Sequence, residues 1–156
     1  MLPIKYNFIL PFTSGSRRRV QSLTCYNTLG RFMDSGKVIL IIDDDPEVQD
    51  LVMMFLKLRG YQGHLAKNGE EGVRIAREVR PHLILMDIMM PKMDGYEACR
   101  QIRKQNKWAK LPVIALTAKA MMDDREKCIE AGANDYITKP VDMDRLIALM
   151  QLWLDK

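Results

Sequence analysis

The chain has 156 residues, of which 47% are hydrophobic and 28% are charged, so it can bury the core of one domain of ordinary size. No apolar run approaches the roughly 18 residues of a membrane span, and three cysteines without CxxC spacing argue against a disulfide scaffold. We therefore expect buried free thiols at Cys99 and Cys128, and a reducing, cytoplasmic location.

The formal net charge of +4 belongs to the N-terminal segment. Residues 1–36 contain five basic residues and one acidic residue, whereas residues 37–156 contain 19 of each sign. A body without net charge has no field that would attract DNA. We therefore expect no direct nucleic-acid partner.

Residues 1–36 show neither helical nor strand periodicity. An apolar stretch with two prolines is followed by three arginines, which is the reverse of the order in a secretory signal. The segment is predicted to be a poorly ordered basic extension, with a membrane-touching or nucleic-acid-binding arm as the alternative. Because Met33 leads directly into the first strand, we hypothesise that residues 1–32 are a dispensable tail or a product of start-site choice.

From Lys37 onward, five short apolar runs alternate with five helical patterns. Strands are predicted over 38–42, 62–66, 82–86, 112–116 and 134–138. Helices are predicted to follow the capping residues Asp45, Asn68, Asp94 and Asp142, with another over 120–131. This alternation indicates a three-layer α/β domain over 37–156, with a parallel sheet covered by helices on both faces. Five such units favour the flavodoxin-like strand order 2-1-3-4-5.

The residues that follow the predicted strands carry the chemistry. In the order 2-1-3-4-5, strands 1, 3, 4 and 5 are neighbours, so their carboxyl ends share one edge. Carboxylates 4 Å apart repel by about 4 kcal/mol at an effective dielectric near 20, so this edge needs a cation, and hard oxygen ligands favour Mg²⁺. A nearby ammonium and hydroxyl suit phosphoryl transfer to an aspartate. The side chains concerned are Asp43, Asp44, Asp87, Thr117 and Lys139.

Four pieces of the sequence, in this order and spacing, resemble one known family. They are IIDDD at 41–45, LMDIMMPKMDG at 85–95, ALTA at 115–118 and GANDYITKP at 132–140. Together they resemble the receiver domain of two-component response regulators over about residues 37–156. The stretch 115–140 is most similar to receivers attached to hybrid histidine kinases.

The resemblance implies roles for individual residues. Asp87 is expected to accept the phosphoryl group and Lys139 to contact it, and the Lys139–Pro140 bond is commonly cis in the family. Thr117 and Tyr136 are the expected switch pair. The expected Mg²⁺ ligands are Asp43, Asp44, Asp87 and the backbone carbonyl of Met89.

The resemblance also implies partners. A histidine kinase or histidine phosphotransfer protein would supply the phosphoryl group, and a downstream protein would read the face formed by helix 4, strand 5 and helix 5. The same face offers a homodimer surface. We expect either a stand-alone receiver or a fragment of a larger protein, and in both cases a domain that is not an enzyme, beyond slow autodephosphorylation.

Two positions near the expected site bear on how long the phosphorylated form lasts. Met89 follows Asp87 by two residues, and Lys119 follows Thr117 by two. Neither side chain readily orients an attacking water, so we expect partner proteins to govern the lifetime of the phosphorylated state.

Other interpretations of the same residues stay open at this point. An aspartate-nucleophile phosphatase of the haloacid dehalogenase type also begins with a strand and Asp-x-Asp, here Asp43 and Asp45, but Glu47 departs from that pattern. A pseudo-receiver that only binds partners would not need the complete set of strand-end residues. The basic stretch around Trp108 is either a binding patch or, as we prefer, a solvated helix end; its members are Arg100, Arg103, Lys104, Lys107 and Lys110.

Overall fold

A computed structural model describes residues 36–118 and 122–156, and the side chains of all of these except 122 and 123. All of the predicted N-terminal extension except Gly36 lies outside the described residues. So does Lys119, for which a prediction was made.

The described chain alternates strands and helices as predicted. Strands β3, β4 and β5 begin and end within one residue of their predicted bounds, and an unpredicted 3₁₀ helix, Asn106–Trp108, follows α3. The strands are β1 Val38–Ile42, β2 Gln62–Ala66, β3 Leu83–Asp87, β4 Val113–Thr117 and β5 Asp135–Thr138. The helices are α1 Pro46–Leu58, α2 Gly69–Val79, α3 Gly95–Arg103, α4 Met122–Glu130 and α5 Met143–Leu154.

The five strands form one parallel sheet in the order β2-β1-β3-β4-β5, which confirms the predicted fold. Successive residues of a strand point to opposite faces, and the central strands are buried on both. Leu40, Ile42 and Ile84 pack with residues of α2, α3 and α4. Ile39, Ile41 and Leu85 pack with α1 and α5. Each such fully buried side chain contributes about 1.5–3 kcal/mol.

Four helices begin at the polar residues predicted to cap them. The side chains of Asp45, Asn68, Asp94 and Asp142 each accept a hydrogen bond from a backbone N–H two or three residues later, at 2.8–3.1 Å. In a parallel α/β fold these helix starts lie beside the carboxyl ends of the strands. The positive ends of the helix dipoles therefore surround the edge where the predicted site residues lie.

Arg103, at the end of α3, is half-buried rather than solvated. Its guanidinium donates to the backbone oxygens of Trp108, Leu111 and Gly132 at 2.7–2.9 Å, and to Oδ1 of Asn134 at 2.7 Å. The preferred prediction of a solvated helix end is therefore wrong for Arg103. The side chain instead joins the end of α3, the approach to β4 and the α4–β5 loop.

Cys99 and Cys128 are buried free thiols, as predicted. Burial raises the pKa of the Cys99 thiol to about 11, since the neutral form is favoured away from water. Burial likewise raises the pKa of Cys128. Among the described helices, none is both long and apolar enough to cross a membrane.

Candidate functional site

Three predicted site residues share one face of the sheet. Asp43 continues the alternation of Ile39 and Ile41, so its side chain lies on the α1–α5 side. Asp87 follows Leu83 and Leu85 in the same way, and Lys139 follows Ile137. Because β1, β3, β4 and β5 are adjacent, the fold brings the three side chains together at the carboxyl edge.

One ammonium serves two buried carboxylates. Nζ of Lys139 lies 2.8 Å from Oδ2 of Asp43 and 3.2 Å from Oδ2 of Asp87. The carboxylate side chains are 0% and 4% exposed, whereas that of Lys139 is 21% exposed. The buried group therefore carries one more negative charge than positive when both aspartates are ionised.

Backbone donors hold the second oxygen of each carboxylate. Oδ1 of Asp43 accepts from the N–H of Asp45 at 2.9 Å, and Oδ1 of Asp87 accepts from the N–H of Met89 at 3.1 Å. These bonds leave both carboxylates with little rotational freedom. The site is therefore preorganised before any ligand arrives.

Gly95 lets the start of α3 approach the end of β3. Its N–H donates to the carbonyl of Ile88 at 3.0 Å. A Cβ at position 95 would collide with the backbone oxygen of Asp87 and would lie 2.7 Å from Cα of Ile88. Only glycine fits this contact, which supports the loop that follows the carboxylate.

The acidic side chains of the site fit a divalent cation. Asp43, Asp44 and Asp87 each present a carboxylate oxygen within 4.8 Å of the others. Asp44 is exposed, so it leaves the cluster open to water and to phosphate oxygens. A cluster of hard oxygens with excess negative charge and an open side suits Mg²⁺.

Burial and charge shift the pKa values at this site in a consistent way. Desolvation raises the pKa of Asp87, and the charge of Asp43 adds to this effect; Lys139 and the Met89 N–H oppose it without overcoming it. For Lys139, burial alone would lower the pKa, but the hydrogen bond to Asp43 and the charge of Asp87 outweigh burial and raise it. In the metal-free site Asp87 therefore takes up a proton more readily than an exposed aspartate, and Lys139 holds its proton more tightly than an exposed lysine.

Thr117 and Tyr136 lie on the other face of the sheet. Thr117 ends β4 and is 2% exposed. Tyr136 pairs with Ala115 in the register of β4 and β5, and it packs half-buried against the core on the α2–α4 side. Both side chains thus point to one face, Thr117 on the strand next to the one that carries Asp87 and Tyr136 one strand further. Their role as a switch stays a prediction.

Gln49 is a positioning residue that the sequence analysis missed. Its amide nitrogen donates to the carbonyls of Asp43 at 2.7 Å and of Ala66 at 3.0 Å. These bonds tie α1 to the ends of β1 and β2 and fix the backbone that carries Asp43. The signal was present in the spacing of Gln49, Val52 and Leu56, which places the amide on the buried face of α1.

Comparison with known proteins identifies the family. A model described as the response regulator receiver domain matches residues 39–151. The chain belongs to this family. The match spans the sheet from Ile39, the second residue of β1, and includes every residue of the site described above.

Individual receivers and receiver-containing proteins are similar in sequence and in structure. The DNA-binding dual master transcriptional regulator RpaA of Synechocystis sp. is 40% identical over 116 residues, which cover 74% of this chain and 48% of that protein. The receiver domain of the sensor histidine kinase PA1611 of Pseudomonas aeruginosa, solved with a magnesium ion in its active-site cleft, is 40% identical with a TM-score of 0.73 and covers 78% of this chain and 100% of its own.

A third similar structure includes a partner protein. It is the co-crystal of the Saccharomyces cerevisiae histidine phosphotransfer protein Ypd1 with the receiver domain of Ssk1. The matched chain of this complex is 35% identical, with a TM-score of 0.71, and the match covers 75% of the present chain and 88% of the matched one. This chain spans about half the length of several curated relatives that it matches. The comparisons give no support to the haloacid dehalogenase alternative.

Proposed function

We propose that Asp87 accepts a phosphoryl group in a Mg²⁺-dependent reaction and that this receiver passes the signal to a partner protein. The observation that carries the proposal is the buried pair of carboxylates at Asp43 and Asp87, held by one lysine beside an exposed Asp44. Family membership supports it, since the whole constellation lies within the matched residues.

Each residue of the site would have a separate role in phosphoryl transfer. A carboxylate oxygen of Asp87 attacks phosphorus while the bond between phosphorus and the donor nitrogen breaks. Lys139 contacts the incoming group and offsets its charge. Asp43, Asp44, Asp87 and the Met89 carbonyl would hold Mg²⁺, which when bound supplies positive charge to the phosphoryl oxygens. Since Asp87 must be ionised to attack, the cation also opposes the raised pKa of the metal-free site.

The response to phosphorylation would pass from β4 to β5. A phosphoryl group on Asp87 adds charge and strong hydrogen-bond acceptors beside Thr117, which is the last residue of the adjacent strand. The Thr117 hydroxyl would turn toward them, and the space that it leaves would let half-buried Tyr136 move inward. Phosphorylation would thus shift a balance between two conformations and change the face formed by α4, β5 and α5.

The phosphodonor would dock on α1. Leu51, Met54 and Leu58 are 41%, 50% and 70% exposed at one helical spacing, and Met89 beside Asp87 is 58% exposed. This apolar stripe begins near the site and runs along α1 to its last residue, Leu58. Such exposure suits a helical partner, and the Ypd1 complex shows that a similar receiver binds a phosphotransfer protein.

The proposed output surface is the face formed by α4, β5 and α5. It would bind a downstream protein or a second copy of the chain, in the cytoplasm and without direct contact to nucleic acid. Turnover would be limited to slow loss of the phosphoryl group, so the domain acts as a signal carrier rather than as an enzyme.

The test is phosphorylation by acetyl phosphate, followed by intact-protein mass spectrometry. The wild-type chain should gain one phosphoryl group with Mg²⁺ and none with EDTA. Asp87→Asn should gain none while keeping its circular dichroism spectrum, and the exposed-site control Asp155→Asn should behave as the wild type. Labelling of Asp87→Asn would overturn the assignment, and sustained hydrolysis of a phosphomonoester would favour a phosphatase.

A further inference from the structure

A groove of about 540 Å³ lies at the end of the sheet opposite Asp87. Its walls come from residues just before β3 and from the segment between the 3₁₀ helix and β4. Because β3 has 5 residues that rise roughly 3.3 Å each, about 15 Å of strand separates the groove from the phosphoacceptor site. We name it the basal groove; two prolines also line it, together with Arg80, His82, Lys107, Trp108, Lys110 and Leu111.

The cations of the basal groove have no acidic partner in the described part of the chain. No carboxylate there lies within 4.0 Å of Arg80, Lys107 or Lys110. By contrast, Arg74 on α2 and Arg100 on α3 form ion pairs with glutamates of their own helix. No acidic residue lines the groove, so it is a local excess of positive charge on a body, residues 37–156, whose charges cancel in total.

The backbone fixes where these charges are presented. Arg80 ends α2 in the left-handed conformation, with φ 50° and ψ 66°, directly before buried Pro81. That conformation costs a non-glycine residue roughly 1–2 kcal/mol, and it directs the chain out of the helix at the groove. Trp108 is 5% exposed, and the ammonium of Lys107 lies 4.8 Å from the centre of its ring. The groove is therefore preformed.

His82 adds a neutral donor. Its Nδ1 accepts a hydrogen bond from the N–H of Val38 at 2.9 Å. The neutral ring consequently carries its proton on Nε2, and the residue is exposed. The groove therefore offers three cations and an imidazole N–H.

We propose that the basal groove binds an acidic segment of a partner protein, in which several aspartate or glutamate side chains meet Arg80, Lys107 and Lys110. Carboxylates spaced along a peptide match cations on long, exposed side chains around an open groove. A compact phosphate fits less well, because its charge is concentrated at one point, whereas the three cations stand on separate side chains around an open groove.

Nucleic acid also fits the basal groove less well than an acidic peptide. The ring of Trp108 is buried and covered by Lys107, so it offers no face on which a base could stack. Three cations also contact only a short length of a phosphate backbone. The groove remains open while a phosphodonor occupies the opposite edge, so the acidic partner and the donor would bind independently.

The experiment uses the full chain and a fluorescein-labelled peptide of eight glutamates, followed by fluorescence anisotropy at low and at physiological ionic strength. Lys107→Gln/Lys110→Gln should weaken binding at least about tenfold. The matched variant Lys57→Gln/Lys67→Gln removes the same two charges from exposed sites elsewhere, and it should bind within about twofold of the wild type. A duplex oligonucleotide of random sequence is titrated in parallel. Thermal melts establish that each variant is folded.

Four results would overturn the proposal. An equal loss in both double variants would indicate unspecific attraction to net charge. Unchanged binding in both would place the peptide elsewhere, such as on the basic residues 1–36, and no binding to the wild type would remove the acidic partner altogether. If the wild type binds the oligonucleotide but not the peptide, and Lys107→Gln/Lys110→Gln abolishes this binding, the groove would be assigned to nucleic acid.

Discussion

At the scale of single residues, the site is defined by an imbalance of charge. Lys139 contacts both Asp43 and Asp87, and both carboxylates are almost fully removed from water. A buried charge without its own counterion destabilises the folded protein. The excess negative charge therefore lowers the stability of the metal-free receiver, and it keeps Asp87 available for its ligand.

Asp87→Asn is expected to make the metal-free protein about 1 kcal/mol more stable at neutral pH. A carboxyl whose pKa is raised by folding stabilises the protein fully below its unfolded pKa, and this contribution is lost as pH rises through the folded pKa. The advantage of the variant should therefore shrink as pH falls through that raised pKa. Thermal melts in EDTA across this range, with Asp155→Asn as the control, measure the difference.

With Mg²⁺, the same melts are expected to give the opposite order of stability for the two proteins. The cation should stabilise the wild type more than Asp87→Asn, because the variant lacks one carboxylate of the cluster. A wild type that is the more stable protein in EDTA at every pH would contradict this account of the site.

Residues of the site differ in how far the sequence predicted them. Asp43, Asp87 and Lys139 were predictable because each follows an apolar run, and the order of such runs determines which strand ends meet. Gln49 was not identified, because a glutamine in a helix is ordinarily exposed and the carbonyls that it binds are not marked in the sequence. Arg103 was placed in solvent for the same reason.

At the scale of elements, Arg103 acts as a clasp between three segments of the chain. Its four acceptors lie after α3, before β4 and in the α4–β5 loop. A lysine has a single nitrogen and cannot reach these acceptors together, so half-buried carbonyls would lose their donors.

Arg103→Lys is expected to lower the free energy of unfolding by about 2 kcal/mol. The matched control is Arg100→Lys on the same helix, where a largely exposed pair with Glu97 contributes at most roughly 0.5 kcal/mol. Urea unfolding followed by circular dichroism measures both variants. Equal effects at the two positions would show that the clasp contributes nothing beyond an ordinary surface arginine.

Element bounds followed the sequence closely where a capping residue or a buried run marked them. The starts of α1, α2, α3 and α5 were predicted from Asp and Asn caps. The 3₁₀ helix Asn106–Trp108 was not, since it has no side-chain cap hydrogen bond. Trp108 is buried there because hydrogen bonds from Arg103 to the carbonyls of Trp108 and Leu111 hold the segment against the core, which is a tertiary effect.

At the scale of the whole molecule, the receiver is expected to fold without its first 32 residues. The family match begins at residue 39 and the described core at β1. A chain that starts at Met33 should therefore unfold at the same urea concentration as the full chain and should label equally with acetyl phosphate. A markedly lower unfolding midpoint would show that residues 1–32 contribute to the fold.

The two tryptophans of the chain give the receiver a built-in optical reporter. Trp108 lines the basal groove, and the indole of Trp153 donates to Asp135 at 3.4 Å, at the first residue of β5. Both fluorophores thus lie at the end of the sheet away from Asp87, too far for a bound cation to quench them by contact. Any change of emission on phosphorylation must consequently be transmitted through the protein, so a simple fluorimeter would measure the reach of the conformational signal.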